Sequence, residues 1–233
     1  DDNFNRILSA LEQQGKRENT IIIFLTDNGP NGKRYNGGMR GTKASVHEGG
    51  VRVPFFIQWP EEYPAPRIIK ELASHIDIMP TILDLCGVEH RSDSNYDGRS
   101  LQSLLNSSEK VWSERNIYSI QNNGSERDHP SSVRNNQYRL VKQSNSDITL
   151  YDMLADPSED NDLSEKLPNI RNTMLTDLEE WFEDVTKYGS SPPPIEIGHV
   201  QSHKVHLPAH EAAVSGNVVF EGGMGWANDW LKE

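Results

Sequence analysis

Apolar and polar positions along the 233-residue chain change their rhythm three times. Phe4, Ile7, Leu8 and Leu11 recur at helical spacing, and Gly15 closes that segment. Ile21–Leu25 follows as an unbroken apolar run rich in β-branched residues. Being apolar on both faces, it predicts a central parallel strand covered by helices. Helix, short link and buried strand make half of a βαβ unit, so this part reads as α/β. A glycine-rich loop, GPNGKRYNGGMRGTKASVHEGG, leads to a second apolar run, VRVPFFIQWP (Val51–Pro60). Pro54 lies inside that run and predicts an edge strand, or one interrupted near its start. SHIDIMPTILDLCGV predicts a short helix, with Pro80 near its first turn and Gly87 just past its end. Leu101, Leu104 and Leu105 predict another.

The texture changes after about Asn106. RNIYSI, VRNNQYRLVKQ and DITLYDM read as short strands separated by Asn, Gly, Ser and Asp, which predicts a small antiparallel sheet. Leu167, Ile170, Met174, Leu178, Trp181, Val185 and Tyr188 then recur every three or four residues. They predict one amphipathic helix with an acidic outer face and a packing role. SSPPP (Ser190–Pro194) marks a linker. The pattern divides the chain into an α/β portion (1–105), a small antiparallel-sheet and helix subdomain (106–190), and a linker with the start of an appended, β-rich segment (191–233). No internal repeat is present.

Composition narrows the function classes. The net charge of −12 argues against nonspecific binding to nucleic acid or to an anionic membrane. No apolar run approaches the roughly 20 residues of a membrane span. Cys86 is the only cysteine, so there is no internal disulfide, and its apolar helical setting predicts a buried side chain. Charge is unevenly spread. Between Gly29 and Pro54, Lys33, Arg34, Arg40, Lys43 and Arg52 face a single acid, Glu48, whereas Asp152–Val185 holds eleven acids and two bases. A basic island in an acidic protein suits an anionic ligand. His199, His203, His206 and His210 have the spacing of one helix face, but Pro208 argues against a helix there and so against a metal site.

Asp27 and Asn28 end the first apolar run, in IIIFLTDNGP. Ligands of open α/β sheets bind beyond the carboxyl ends of strands. A carboxylate and an amide oxygen are hard donors that suit Ca²⁺ or Mg²⁺. Asp-Asn-Gly is also turn chemistry, and two donors do not complete a site. The residues alone leave both readings open.

TDNGP followed by GGMRGTKASVHEGGVRVPFFIQWP resembles the second signature region of the sulfatase family, within the alkaline-phosphatase superfamily. SHIDIMPTILDLCGV resembles the family's next helix, and YRLVK with LYDMLADPSEDNDL resembles its C-terminal subdomain. The resemblance covers about Asp1 to Tyr188. It implies part of an alkaline-phosphatase-like sandwich with a mainly parallel sheet, plus a small C-terminal α+β subdomain with an antiparallel sheet and one long helix. It implies that Asp27 and Asn28 coordinate a divalent cation, usually Ca²⁺ with Mg²⁺ possible, and that Lys43 contacts the sulfate group. His47 is a lesser candidate for substrate contact, Glu48 an anchor of the loop, Arg40 and Arg52 braces, and His75 a structural residue.

The family's formylglycine, made from Cys-x-Pro-x-Arg, has no counterpart in the chain. It is expected in an N-terminal half outside it, and the chain alone is expected to be inactive. The implied function is hydrolysis of sulfate esters of sulfated glycans or aryl sulfates by an exported protein. Two alternatives stay open: a phosphodiesterase or phosphonate hydrolase of the same superfamily, and an inactive glycan-binding protein on the same scaffold.

Overall fold

The computed structural model describes residues 2–89, 95–106, 112–121 and 129–187, and the backbone of two further strands at 219–221 and 230–232. Asp1–Ser190 form one compact unit and Ser191–Glu233 another. The expected linker at Ser190–Pro194, Tyr188 and the four-histidine cluster lie outside the described residues. In the second unit, β7 (Val219–Glu221) pairs antiparallel with β8 (Trp230–Lys232). Among the described residues no helix is long and apolar enough to cross a membrane.

The first unit begins with α1 (Asp2–Gln13), which ends at the left-handed Gly15, φ 63°. β1 (Ile22–Leu25) follows. The partner it was expected to have is parallel; the partner the structure gives it is β2 (Phe55–Gln58), antiparallel, with Leu25 opposite Phe55. The connecting loop explains the reversal. It folds back on itself, and the Gly29 amide donates to the Gly50 carbonyl at 2.8 Å. The chain therefore re-emerges beside the end of β1 and runs back along it. Val51 closes the helical turn α2 (Glu48–Val51), and the strand begins only after Pro54.

Burial of this ribbon also departs from the expectation. Phe24 is 42% and Phe56 64% exposed, on the face that carries an aromatic row with Phe4. A run apolar on both faces is here covered incompletely by the described residues.

A 3₁₀ turn (His75–Asp77) leads into α3 (Ile78–Leu85). Asp77 is fully buried and satisfied four times over: it accepts from the amides of Ser74 and Arg99 and from both terminal nitrogens of Arg115. Thr81 donates to the Asp77 carbonyl and accepts from the Leu101 amide, which fixes α4 (Gln102–Leu105) beside α3. Cys86 is exposed at the C-terminal end of α3, not buried as expected. Pro80, Thr81 and Leu85 form the buried side of the helix, while Met79 and Ile82 face outward with it.

Four strands form an antiparallel meander, β3 (Ile117–Ile120), β4 (Ser131–Arg134), β5 (Tyr138–Ser144) and β6 (Asp147–Asp152). One of the predicted strands is in fact two. VRNNQYRLVKQ turns at Asn135, whose Oδ1 accepts from the amides of Gln137 and Tyr138. That is an Asx turn of the kind asparagine favours. α5 (Pro168–Thr186) starts with proline in its first turn and buries Met174 and Leu178 against Val133, Leu140 and Leu150 of the sheet. Trp181 stacks on Tyr118 with ring centroids 4.9 Å apart.

Alternation sends the opposite side chains of the same strands to the other face. Ser132, Arg134, Arg139, Val141, Gln143 and Tyr151 belong to that face. It packs against the glycine-rich loop, with Val46 joining Val141, Tyr151 and Met153.

Candidate active site

The loop between β1 and β2 is compressed to backbone contact. A Cβ on Gly29 would lie 1.9 Å from the Gly49 carbonyl oxygen, and one on Gly50 would lie 2.1 Å from the Ser45 carbonyl oxygen. Backbone cannot yield as a flexible side chain can. Gly50→Ala is therefore expected to destabilise the protein by about 1–3 kcal/mol, the usual scale of overpacking, read by thermal unfolding. A variant as stable as the parent would show that the loop has slack.

This compaction sets the candidate residues. Asp27 and Asn28 follow directly from β1, and the Lys43 amide donates to the Pro30 carbonyl at 3.0 Å. Asp27, Asn28 and Lys43 all line one broad cleft, which also runs along β1 and β2. Asp27 and Lys43 are exposed to it and Asn28 is half-buried. His75 closes in from the 3₁₀ turn before α3, its Nε2 donating to the Thr26 carbonyl at 2.9 Å. A carbonyl only accepts, so Nε2 carries the proton, and the ring braces the strand end.

Asp27 and Asn28 suit a hard divalent cation as one carboxylate and one amide oxygen. Among the described residues no group of three or more His, Cys, Asp or Glu is placed to hold a metal ion. Two donors alone do not complete a site for a metal that takes six or more.

His47 does not face the cavity as a substrate contact. It is 7% exposed, and both ring nitrogens are occupied. Nδ1 donates to the Glu159 carboxylate, and Nε2 accepts from the Gln143 amide at 3.0 Å. Glu48 is likewise buried, paired with Arg139 by a close contact, with Arg134 at 3.3 Å and with Arg52 at 3.2 Å. Burial pushes the Glu48 carboxyl up, but Arg139, Arg134 and Arg52 together hold it below the ordinary carboxylate value. Arg40 donates to the Tyr151 hydroxyl at 2.9 Å and to the Glu159 carbonyl at 3.3 Å. Arg40 and Arg52 thus brace the loop.

Sequence reasoning missed Arg139 and Glu159. Glu159 is 1% exposed, and its Oε1 accepts from the Glu48 amide at 2.8 Å. Among the described residues two non-glycines are left-handed: Glu159 at φ 60° and Ala44, next to Lys43, at φ 66°. Such conformations cost on the order of 1–3 kcal/mol each and persist where the surroundings enforce them. The available signal was the Asp-Pro-x-Glu pattern that ends at Glu159, in a stretch that composition alone reads as acidic surface.

Comparison with known proteins decides the family. Residues 1–88 match the sulfatase family model. These residues belong to the sulfatase family. The chain is 39% identical over 110 residues to mouse steryl-sulfatase, covering 43% of this chain and 18% of that protein. It is 30% identical over 172 residues to an N-acetylglucosamine-6-O-sulfatase of Bacteroides thetaiotaomicron, covering 70% of this chain and 30% of that protein. Among solved structures, Ps i-CgsB in complex with k-i-k-neocarrahexaose matches with a TM-score of 0.69 and 27% identity, over 77% of this chain and 40% of that one. The fold is that of part of a sulfatase, alkaline-phosphatase-like α/β with a small α+β subdomain. The chain spans less than a third of the length of these two curated relatives.

Proposed function

We propose that the protein carrying this chain is a sulfuric ester hydrolase acting on a sulfated saccharide. The observation that supports the reading is that Asp27, Asn28 and Lys43 all line one broad cleft, which also runs along β1 and β2. Asp27 and Asn28 would hold a divalent cation, Ca²⁺ or Mg²⁺. When bound, such an ion polarises the sulfuryl oxygens and offsets their charge. Lys43, a cation on a flexible stem, holds a sulfuryl oxygen and stabilises the negative charge that develops as the ester bond breaks. His75 keeps the strand end in place, and the Glu48 cluster keeps the loop in place. The formylglycine nucleophile belongs to this reading as a group supplied from outside the chain. Export from the cytoplasm goes with the same family resemblance.

Two facts favour a saccharide over a sterol. The bacterial N-acetylglucosamine-6-O-sulfatase aligns over 70% of the chain, against 43% for steryl-sulfatase. Solved neighbours include complexes with k-i-k-neocarrahexaose and with D-glucosamine-2-N,6-O-disulfate, the latter at a TM-score of 0.57.

The test is turnover by the full-length protein of glucosamine 6-sulfate, 4-nitrophenyl sulfate and a bis-aryl phosphate, each with added Ca²⁺ and after chelation. Sulfate release that chelation abolishes and Ca²⁺ restores supports the reading, with Asp27→Ala losing that activation. Preference for the phosphate diester would move the protein to phosphodiester chemistry. Saccharide binding without turnover of any ester would make it a binding protein.

A further inference from the structure

Lys43 sits on a loop, and a loop lysine is useful only if something rigid sets its position. α2 has four residues, too few to do so. The rigid body nearby is the antiparallel sheet, and the loop rests on it through charged groups that are buried. Glu159 is central to this contact. One carboxylate oxygen takes the Glu48 amide, the other takes His47 Nδ1, and its backbone carbonyl takes Arg40. It therefore grips the loop on both sides of Lys43, at Arg40 and at His47–Glu48. Arg139 reinforces the grip from the same face: it donates to the Val46 carbonyl at 3.2 Å, pairs with Glu48, and lies 3.3 Å from Glu159. Tyr151 receives Arg40. The two left-handed non-glycines, Ala44 and Glu159, fall one on each side of this contact.

We infer that Glu159 is a positioning residue for sulfate ester cleavage: from the C-terminal subdomain it clamps both arms of the loop and so sets where Lys43 meets the substrate. It touches no reacting atom. The inference rests on the functional reading above, since it acts through Lys43. It assigns the subdomain a part in catalysis beyond packing.

A double-mutant cycle in the full-length protein tests it, with 4-nitrophenyl sulfate as the probe. Glu159→Gln keeps the shape and one acceptor but loses the charge that binds His47 and Arg139. With Lys43 present it is expected to lower kcat by roughly ten- to hundredfold with KM little changed, the cost of a catalytic group displaced by about an ångström. In a Lys43→Ala background the same change should cost less than about twofold, because groups acting as a unit are not additive. Equal losses in both backgrounds mean a merely structural role and overturn the inference.

Hydrogen exchange gives a readout that does not need turnover. The Glu48 amide should lose protection in Glu159→Ala, which removes its acceptor, and unchanged protection also overturns it. Should Glu159→Gln fail to fold, Tyr151→Phe removes only the hydroxyl that receives Arg40. It should show the same non-additivity with a loss of about fivefold, the scale of one hydrogen bond. A Lys43→Ala enzyme with normal turnover sinks the functional reading and this inference together. A crippled Lys43→Ala enzyme with additive Glu159 losses sinks the inference alone.

Discussion

Lys43→Ala is expected to lower kcat for sulfate ester cleavage by about a hundredfold or more, the scale of removing one donor to developing oxyanion charge. The loss should appear in kcat more than in KM, because the contact strengthens as charge develops on the sulfuryl oxygens. The fold should survive. Lys43 is exposed to the cavity, and its amide-to-Pro30 bond is backbone and unaffected by the side chain. Thermal unfolding should therefore be unchanged within about 0.5 kcal/mol, as at other surface positions. Steady-state kinetics of the full-length variant decide it. Near-normal turnover would leave Lys43 as surface charge only.

Arg139→Ala is expected to have the largest effect on stability. Its guanidinium is 3% exposed and faces Glu48, also 3% exposed. Removing it strands a buried carboxylate, which typically costs about 3–5 kcal/mol. Arg134 and Arg52 remain, so the low end, about 3 kcal/mol, applies here. The midpoint of thermal unfolding should fall by roughly 6–12 °C for a unit of this size. Arg171→Ala is the contrast: its partner Glu165 is 90% exposed, so that loss should be within a few tenths of a kcal/mol. The same pair predicts an acid dependence. Glu48 titrates below its ordinary value in the folded protein, so its contribution is present above that ordinary value and is lost as pH falls through the lowered one. Arg139→Ala should narrow the difference in stability between neutral and acid pH. An unchanged difference would show that Arg139 is not the group that holds Glu48 ionised.

The periodic elements were legible. α5 could be read because one partner, the sheet, covers one stripe of it, and Met174 and Leu178 are where the 3.6-residue rhythm puts them. Other features depend on partners that a local window does not contain. α3 is eight residues long and apolar on more than one side, so spacing cannot say which side is covered; Leu85 is buried and Cys86 is not. The direction of β2 follows from the Gly29–Gly50 contact across the loop. The carboxylate of Asp27, the amide of Asn28 and the Lys43 cation could be named from the sequence, but that all three line one cleft depends on how the loop folds back. The role of Glu159 was not legible, since its partners His47 and Glu48 lie more than a hundred residues earlier.

The half-covered ribbon of β1 and β2 bears on how the chain behaves in solution. Among the described residues each strand pairs only with the other, and Phe24 and Phe56 stand on an open apolar face. Such a ribbon is adhesive toward copies of itself. The net charge of −12 opposes that adhesion at long range, and salt removes the opposition, since the screening length shrinks to about 10 Å at 0.1 M. Adding salt, which keeps many proteins soluble, should hasten the precipitation of this chain.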